Sequence, residues 1–246
     1  MAIRPFLAMT PAEMRKNSAF PKETAWMACH FSPYCTGLSN LPRTLPPGSL
    51  LILDDITPIH GHAPKEIAAQ LQACMEALGC RGLLLDFQRP GFEEAAALAL
   101  HLSHALPCPV GVSELYAQEL DCPVFLPPLP LDVAMADYLT PWRGREVWLE
   151  LALDGAVLSL TEEGTDSTLL PSPVPENPGF AEDKLHCHYR IQLEEAAAKF
   201  TLWRTREDLD ALVEEAGQLG VTACIGLYQE LHTQKKPDIP SGANTA

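Results

Sequence analysis

The chain has 246 residues, 47% of them apolar, 20% charged and 7% aromatic, with a net charge of −15. That composition excludes a disordered chain, a collagen-like fibre and a disulfide miniprotein, and the acidity excludes a phosphate backbone or an anionic membrane as main partner. The 23 prolines exclude a bundle of long helices.

Short apolar runs alternate with helical patterns along the chain. Arg4 to Met9 supplies a first strand, and Trp26 to Phe31 is an apolar run closed by Ser32 and Pro33. Leu50 to Leu53 is another, ended by Asp54 and Asp55. Pro64 to Leu78 reads as a helix, with Ile67, Leu71, Cys74, Met75 and Leu78 at helical spacing and Gly79 at C′. Gly82 to Phe87 is an almost wholly apolar strand, Glu93 to Leu106 a helix, and Pro109 to Ser113 and Val124 to Leu126 strands. Asp132 to Leu139 reads as a short helix and Val147 to Leu151 as a strand.

Asp154-Gly155 is then a hairpin signal. Strands are expected at Ala156–Leu160, His186–Leu193 and Lys199–Trp203, with an exposed loop over Thr165–Asp183, rich in Pro, Ser and acid. Thr205 caps a helix that runs to Leu219, with Asp208 at N3, and Ala223 to Leu227 is the last strand.

Strands apolar on both faces and separated by crossover helices are parallel strands covered on both sides. With no GxGxxG run for a dinucleotide fold, the expected class is α/β, a (β/α)8 TIM-like barrel with a small antiparallel insertion before the last βα unit. The barrel spans 1–231, the β-rich insertion 155–200, and 232–246 is a flexible tail. No apolar run approaches a membrane span, and the N-terminus is too polar for a signal peptide. The eight cysteines are scattered, several in apolar runs, so reduced thiols and a cytoplasmic location are expected.

Active sites of such barrels lie at the C-terminal ends of the strands. Polar residues cluster there: Tyr34, Asp54, Asp55, Asp86, Gln88, Glu114, Tyr228, Gln229 and Glu230. Asp54, Asp55, Tyr34, Tyr228 and Gln229 are candidate ligand-binding residues. His60-Gly-His62 has the HxH spacing of metal-dependent hydrolases, with Asp54, Asp55 and Asp86 as further ligands, though two solvated loop histidines account for it more simply. His186-Cys-His188 reads as a pair of edge-strand histidines. Nucleophile-elbow and P-loop motifs are absent.

The segment from Arg81 to Pro90 carries the most specific signal. Leu84, Asp86 and Gln88 share one strand face, with the polar pair at the rim. This row resembles the fourth strand of family 18 glycoside hydrolases and their chitinase-like relatives, where the pattern is Asp-Gly-x-Asp-x-Asp-x-Glu. Gly82 matches its glycine, Asp86 its last aspartate and Phe87 its apolar spacer. Arg81 and Leu84 replace its first two aspartates, and Gln88 stands at its proton-donating glutamate. The Ser-x-Gly-Gly signature is replaced by Leu53-Asp54-Asp55. The resemblance implies a carbohydrate-binding barrel that uses no cofactor and has a degenerate acid position, because a Gln amide has no titratable proton. An active glycosidase using other carboxylates, Glu114 and Glu230, is the alternative, and a metal-dependent hydrolase of the same barrel class a second. A protein partner is not specified.

Overall fold

The computed structural model describes residues 3–17, 20–34, 36–59, 61–161, 164–170, 179–194 and 197–232. In chain order the elements are β1 (Phe6–Met9), α1 (Pro11–Lys16), β2 (Thr24–Phe31), β3 (Leu38–Ser39), β4 (Leu50–Asp54), α2 (Pro64–Leu78) and β5 (Gly82–Asp86). Next come α3 (Glu93–Ala105), β6 (Val110–Ser113), α4 (Glu114–Ala117), β7 (Val124–Leu126), α5 (Met135–Tyr138), a 3-10 turn (Thr140–Trp142) and β8 (Val147–Leu151). The rest are β9 (Gly155–Thr161), β10 (Gly164–Leu169), β11 (Phe180–Glu182), β12 (Cys187–Glu194), β13 (Ala197–Trp203), α6 (Arg206–Gln218), β14 (Ala223–Leu227) and α7 (Tyr228–Leu231).

Eight strands run parallel in the order β1-β2-β4-β5-β6-β7-β8-β14, and β1 pairs with both β2 and β14 to close the barrel. β3 adds an antiparallel strand outside, on β2. The expected barrel with an insertion before its last βα unit is therefore the observed architecture.

Each barrel strand splits its side chains between two cores. Leu83 and Leu85 point outward and are buried under the helices with Ile67, Leu71, Leu98 and Leu102. Leu84 points inward, among Phe6, Leu50, Ile52, Phe125, Trp148 and Ile225. The indole of Trp148 fills the lower interior, and two glycines make the room. A Cβ on Gly111 would lie 2.4 Å from that ring, and one on Gly82 3.3 Å from it.

The helices are less regular than the alternation implies. Among the described residues only α2, α3 and α6 exceed two turns, and β2 is joined to β4 without a helix. Pro42, Pro46, Pro47 and Gly48 occupy that connection and forbid one. The expected helix over 132–139 is a single turn, because Pro127, Pro128 and Pro130 hold the chain extended before it.

The insertion is a five-stranded antiparallel sheet in the order β10-β9-β13-β12-β11. Two of its strands fall in the span expected to be an exposed loop. Gly164–Leu169 pairs with β9 and Phe180–Glu182 with β12, since a ladder partner overrides the poor strand propensity of Asp166 and Ser167. The middle of that span, 171–178, lies outside the described residues, as does the expected tail apart from His232. β12 is flanked on both sides, so His188 is not on an edge strand, and His186 precedes the strand. Both histidines reach α6, His186 to Glu215 and His188 Nδ1 to Asp208 Oδ2 at 2.9 Å. Asp208 also completes the expected capping box with Thr205.

Candidate active site

The C-terminal mouth of the barrel holds a cavity of about 410 Å³. Aliphatic side chains of the upper interior (Ile52, Leu84, Ile225) and Phe125 form its wall, and Asp54, Asp55, Asp86, Gln88, Arg89 and Glu150 its polar rim. Parallel register puts Asp54 beside Asp86 at the ends of β4 and β5.

Each carboxylate on the β4 and β5 side has a donor. Asp54 Oδ1 accepts from the Ile56 N–H at 3.1 Å. Asp55 is 6% exposed and receives the backbone N–H groups of Gln88 and Arg89 on its two oxygens, both at 3.1 Å. It thereby ties the loop after β5 to the end of β4. Asp86 Oδ1 accepts from the Gln88 amide at 3.0 Å. Burial, joined by neighbouring carboxylates, pushes the Asp54 and Asp86 carboxyls above their ordinary values, and their own hydrogen bonds resist the shift. Arg89 is the one cation lining the cavity among the described residues, and its guanidinium donates to the Ile56 carbonyl.

The mouth thus gathers Asp54, Asp55, Asp86 and Gln88 as the sequence suggested. Glu114 opens α4 and lines a side extension bounded by Asp86, Gln88, Pro127 and Glu150. Glu230 does not line the cavity; its Oε2 accepts the Leu153 N–H at 3.0 Å and holds the β8 exit. Three further candidates do not line the cavity either. Tyr34 is 95% exposed. Tyr228 is 8% exposed, packs with the outer core and donates to Asn17 at 2.9 Å. Its neighbour Gln229 points to solvent, because the chain turns into α7 immediately after Leu227. His62 accepts the Gly37 N–H on Nδ1 at 3.0 Å and rests against Phe31, so it braces the loop before β3, while His60 lies outside the described residues.

Sequence reasoning missed Glu150. It stands two residues after Trp148 on the inward face of β8, and burial followed by Asp86, Asp154 and Glu230 raises its carboxyl to about 7. The signal was present: a single acid inside Val147-Trp148-Leu149-Glu150-Leu151 has to face the interior or the helices.

The spore cortex-lytic enzyme SleL of Bacillus cereus superposes with a TM-score of 0.55 at 10% identity, over 91% of this chain and 70% of that one. The two chains share a fold. SleL of Bacillus megaterium QM B1551 (TM-score 0.44, 12% identity, 72% of this chain and 55% of that one) and a chitinase-like agglutinin of Robinia pseudoacacia (0.45, 14%, 76% and 77%) are more distant and decide nothing about the site. No protein-family profile and no curated protein matches the sequence.

Proposed function

We propose that this protein is a glycoside-hydrolase-like barrel of the chitinase kind whose mouth binds an oligosaccharide, with Gln88 in place of the family's proton donor. The observation that carries this reading is the Gln88 amide donating to Asp86 at the cavity rim. It keeps the shape of an acid–aspartate pair while removing the titratable proton. A cavity of this size with an aliphatic wall and a few convergent polar groups suits a small organic ligand, for which about 300–1,000 Å³ is usual. The fold shared with a spore cortex-lytic enzyme supports a glycan over other ligands.

Calorimetric titration with N-acetylglucosamine oligomers tests the proposal. Binding is expected, and Asp86→Ala should weaken it at least tenfold with little loss of thermal stability. Absence of binding, or binding untouched by Asp86→Ala, would remove it. Gln88→Glu restores an acid beside Asp86 and is expected to add or increase hydrolysis, since the neighbouring carboxylate raises its pKa.

A further inference from the structure

Among the described residues four carboxyl groups line the main cavity, and three of them receive hydrogen bonds from backbone or amide N–H groups. Glu150 is the exception. It faces the same cavity from β8 and has no donor and no cation among the described residues. The charged groups around it are Asp86 on β5, Asp154 after β8 and Glu230 on α7, with Glu114 of α4 on the shared side extension, all acidic, and the Tyr138 phenol of α5 also near. Two cations of the neighbourhood are engaged elsewhere: Arg89 of the cavity rim donates to the Ile56 carbonyl, and Arg204, which acts on Asp154, donates to a set of carbonyls. Two carboxyls thus share one cavity in different settings: burial pushes both up, but the Gln88 amide resists the shift at Asp86 and no donor resists it at Glu150.

We propose that Glu150 and Asp86 are the acid and base of a glycosidic-bond hydrolase, with the proton donor moved across the barrel from the position of Gln88. The proposal rests on the reading of the mouth as an oligosaccharide site. Neutral Glu150 gives its proton to the glycosidic oxygen as the bond from that oxygen to the anomeric carbon breaks. Water adds its oxygen to the anomeric carbon, and the proton it sheds passes to the Asp86 carboxylate. Asp86 then releases a proton to solvent and Glu150 takes one up. One water is consumed per bond, nothing is oxidised or reduced, and direct addition of water inverts the anomeric configuration. Gln88 becomes a positioning residue: its amide favours the ionised base against the upward push of burial and keeps it turned to the cavity.

The test uses two probes, the N-acetylglucosamine hexamer and a 2,4-dinitrophenyl glycoside of the dimer, whose leaving group departs without a proton. The full chain should cleave the hexamer with inversion, read by NMR of the fresh product, and with a rate that falls as pH rises through about 7. Glu150→Gln should lower hexamer turnover by roughly 10²–10⁴-fold, lose that pH limb, and leave the dinitrophenyl glycoside within a few-fold of wild type. Equal loss on both probes would make Glu150 structural and overturn the proposal, as would retention of configuration. A hexamer that binds in calorimetry and is never cleaved overturns the acid–base pair and leaves the binding reading standing. A hexamer that does not bind removes both.

Discussion

Glu150 makes a prediction about stability as well as chemistry. Its carboxyl titrates near 7 in the folded protein against 4.5 when unperturbed, so the folded state holds the proton more tightly than the unfolded chain. The stability associated with that proton is intact below about 4.5 and is lost as pH rises through 7. Glu150→Gln removes the loss. Relative to wild type, the variant should gain on the order of 2–3 kcal/mol between pH 5 and pH 8, read from denaturant melts at each pH. A constant difference across that range would show that Glu150 is not in the low-dielectric setting described. Asp55 behaves oppositely, because its role is structural. Asp55→Ala strands two N–H groups at the exit of β5 and should cost about 2–4 kcal/mol by the same measurement. The sequence marked Asp54, Asp55, Asp86 and Gln88 because strand-end polar residues stand out against apolar runs. It hid Glu150, which lies within a strand, and it overvalued Tyr228, whose ring turns into the outer core with α7.

At the level of elements, the strands were legible because a parallel barrel strand is apolar on both faces. Gly82–Asp86 with Leu83 and Leu85 outward is the plainest case. Leu85→Ala should cost about 2–5 kcal/mol. The glycine of the motif strand has a packing role that no spacing pattern reveals, since with Gly111 it accommodates Trp148 from across the barrel. Gly111→Ala should destabilise by about 1–3 kcal/mol through overpacking, and Trp148→Leu in the same chain should recover part of that loss. Purely additive costs in a double-mutant cycle would contradict the contact. The strands β10 and β11 were illegible for a different reason. Their own residues are polar or few, and only the partners β9 and β12 make them strands.

Over the whole molecule, the insertion and the barrel are joined by one buried cation. Arg204 is 1% exposed and donates to the carbonyls of Leu129, Pro130, Leu185 and His186, linking the loop after β7, the turn before β12 and the entry to α6. Around it Leu131, Ala156, Cys187 and Leu202 form a small core of their own. Arg204→Met should cost about 3–5 kcal/mol, because the carbonyls lose their donor inside a buried junction. Limited proteolysis should then cut first within the insertion, whereas a first cut between β4 and β6 would show that Arg204 supports the barrel instead. The seven described cysteines are free, and burial raises Cys80 and Cys187 to about 11 and Cys224 to about 12. These thiols are poor nucleophiles and should react with an alkylating reagent only after unfolding.

The closure of the barrel by its first strand sets a timetable for synthesis. Leu7, Ala8 and Met9 take their partners on one side from Thr24, Ala25 and Trp26 of β2, and Phe6, Leu7 and Ala8 theirs on the other from Ile225, Gly226 and Leu227. Roughly 220 residues separate the two halves of that seam, which at ribosomal speed is about 10–40 s of waiting. Until β14 emerges, β1 and β8 each present an unpaired edge, and the mouth lacks the Ile225–Leu227 wall. The nascent chain is thus a crescent with two open edges, and the wall of the mouth is complete only with the last strand of the barrel.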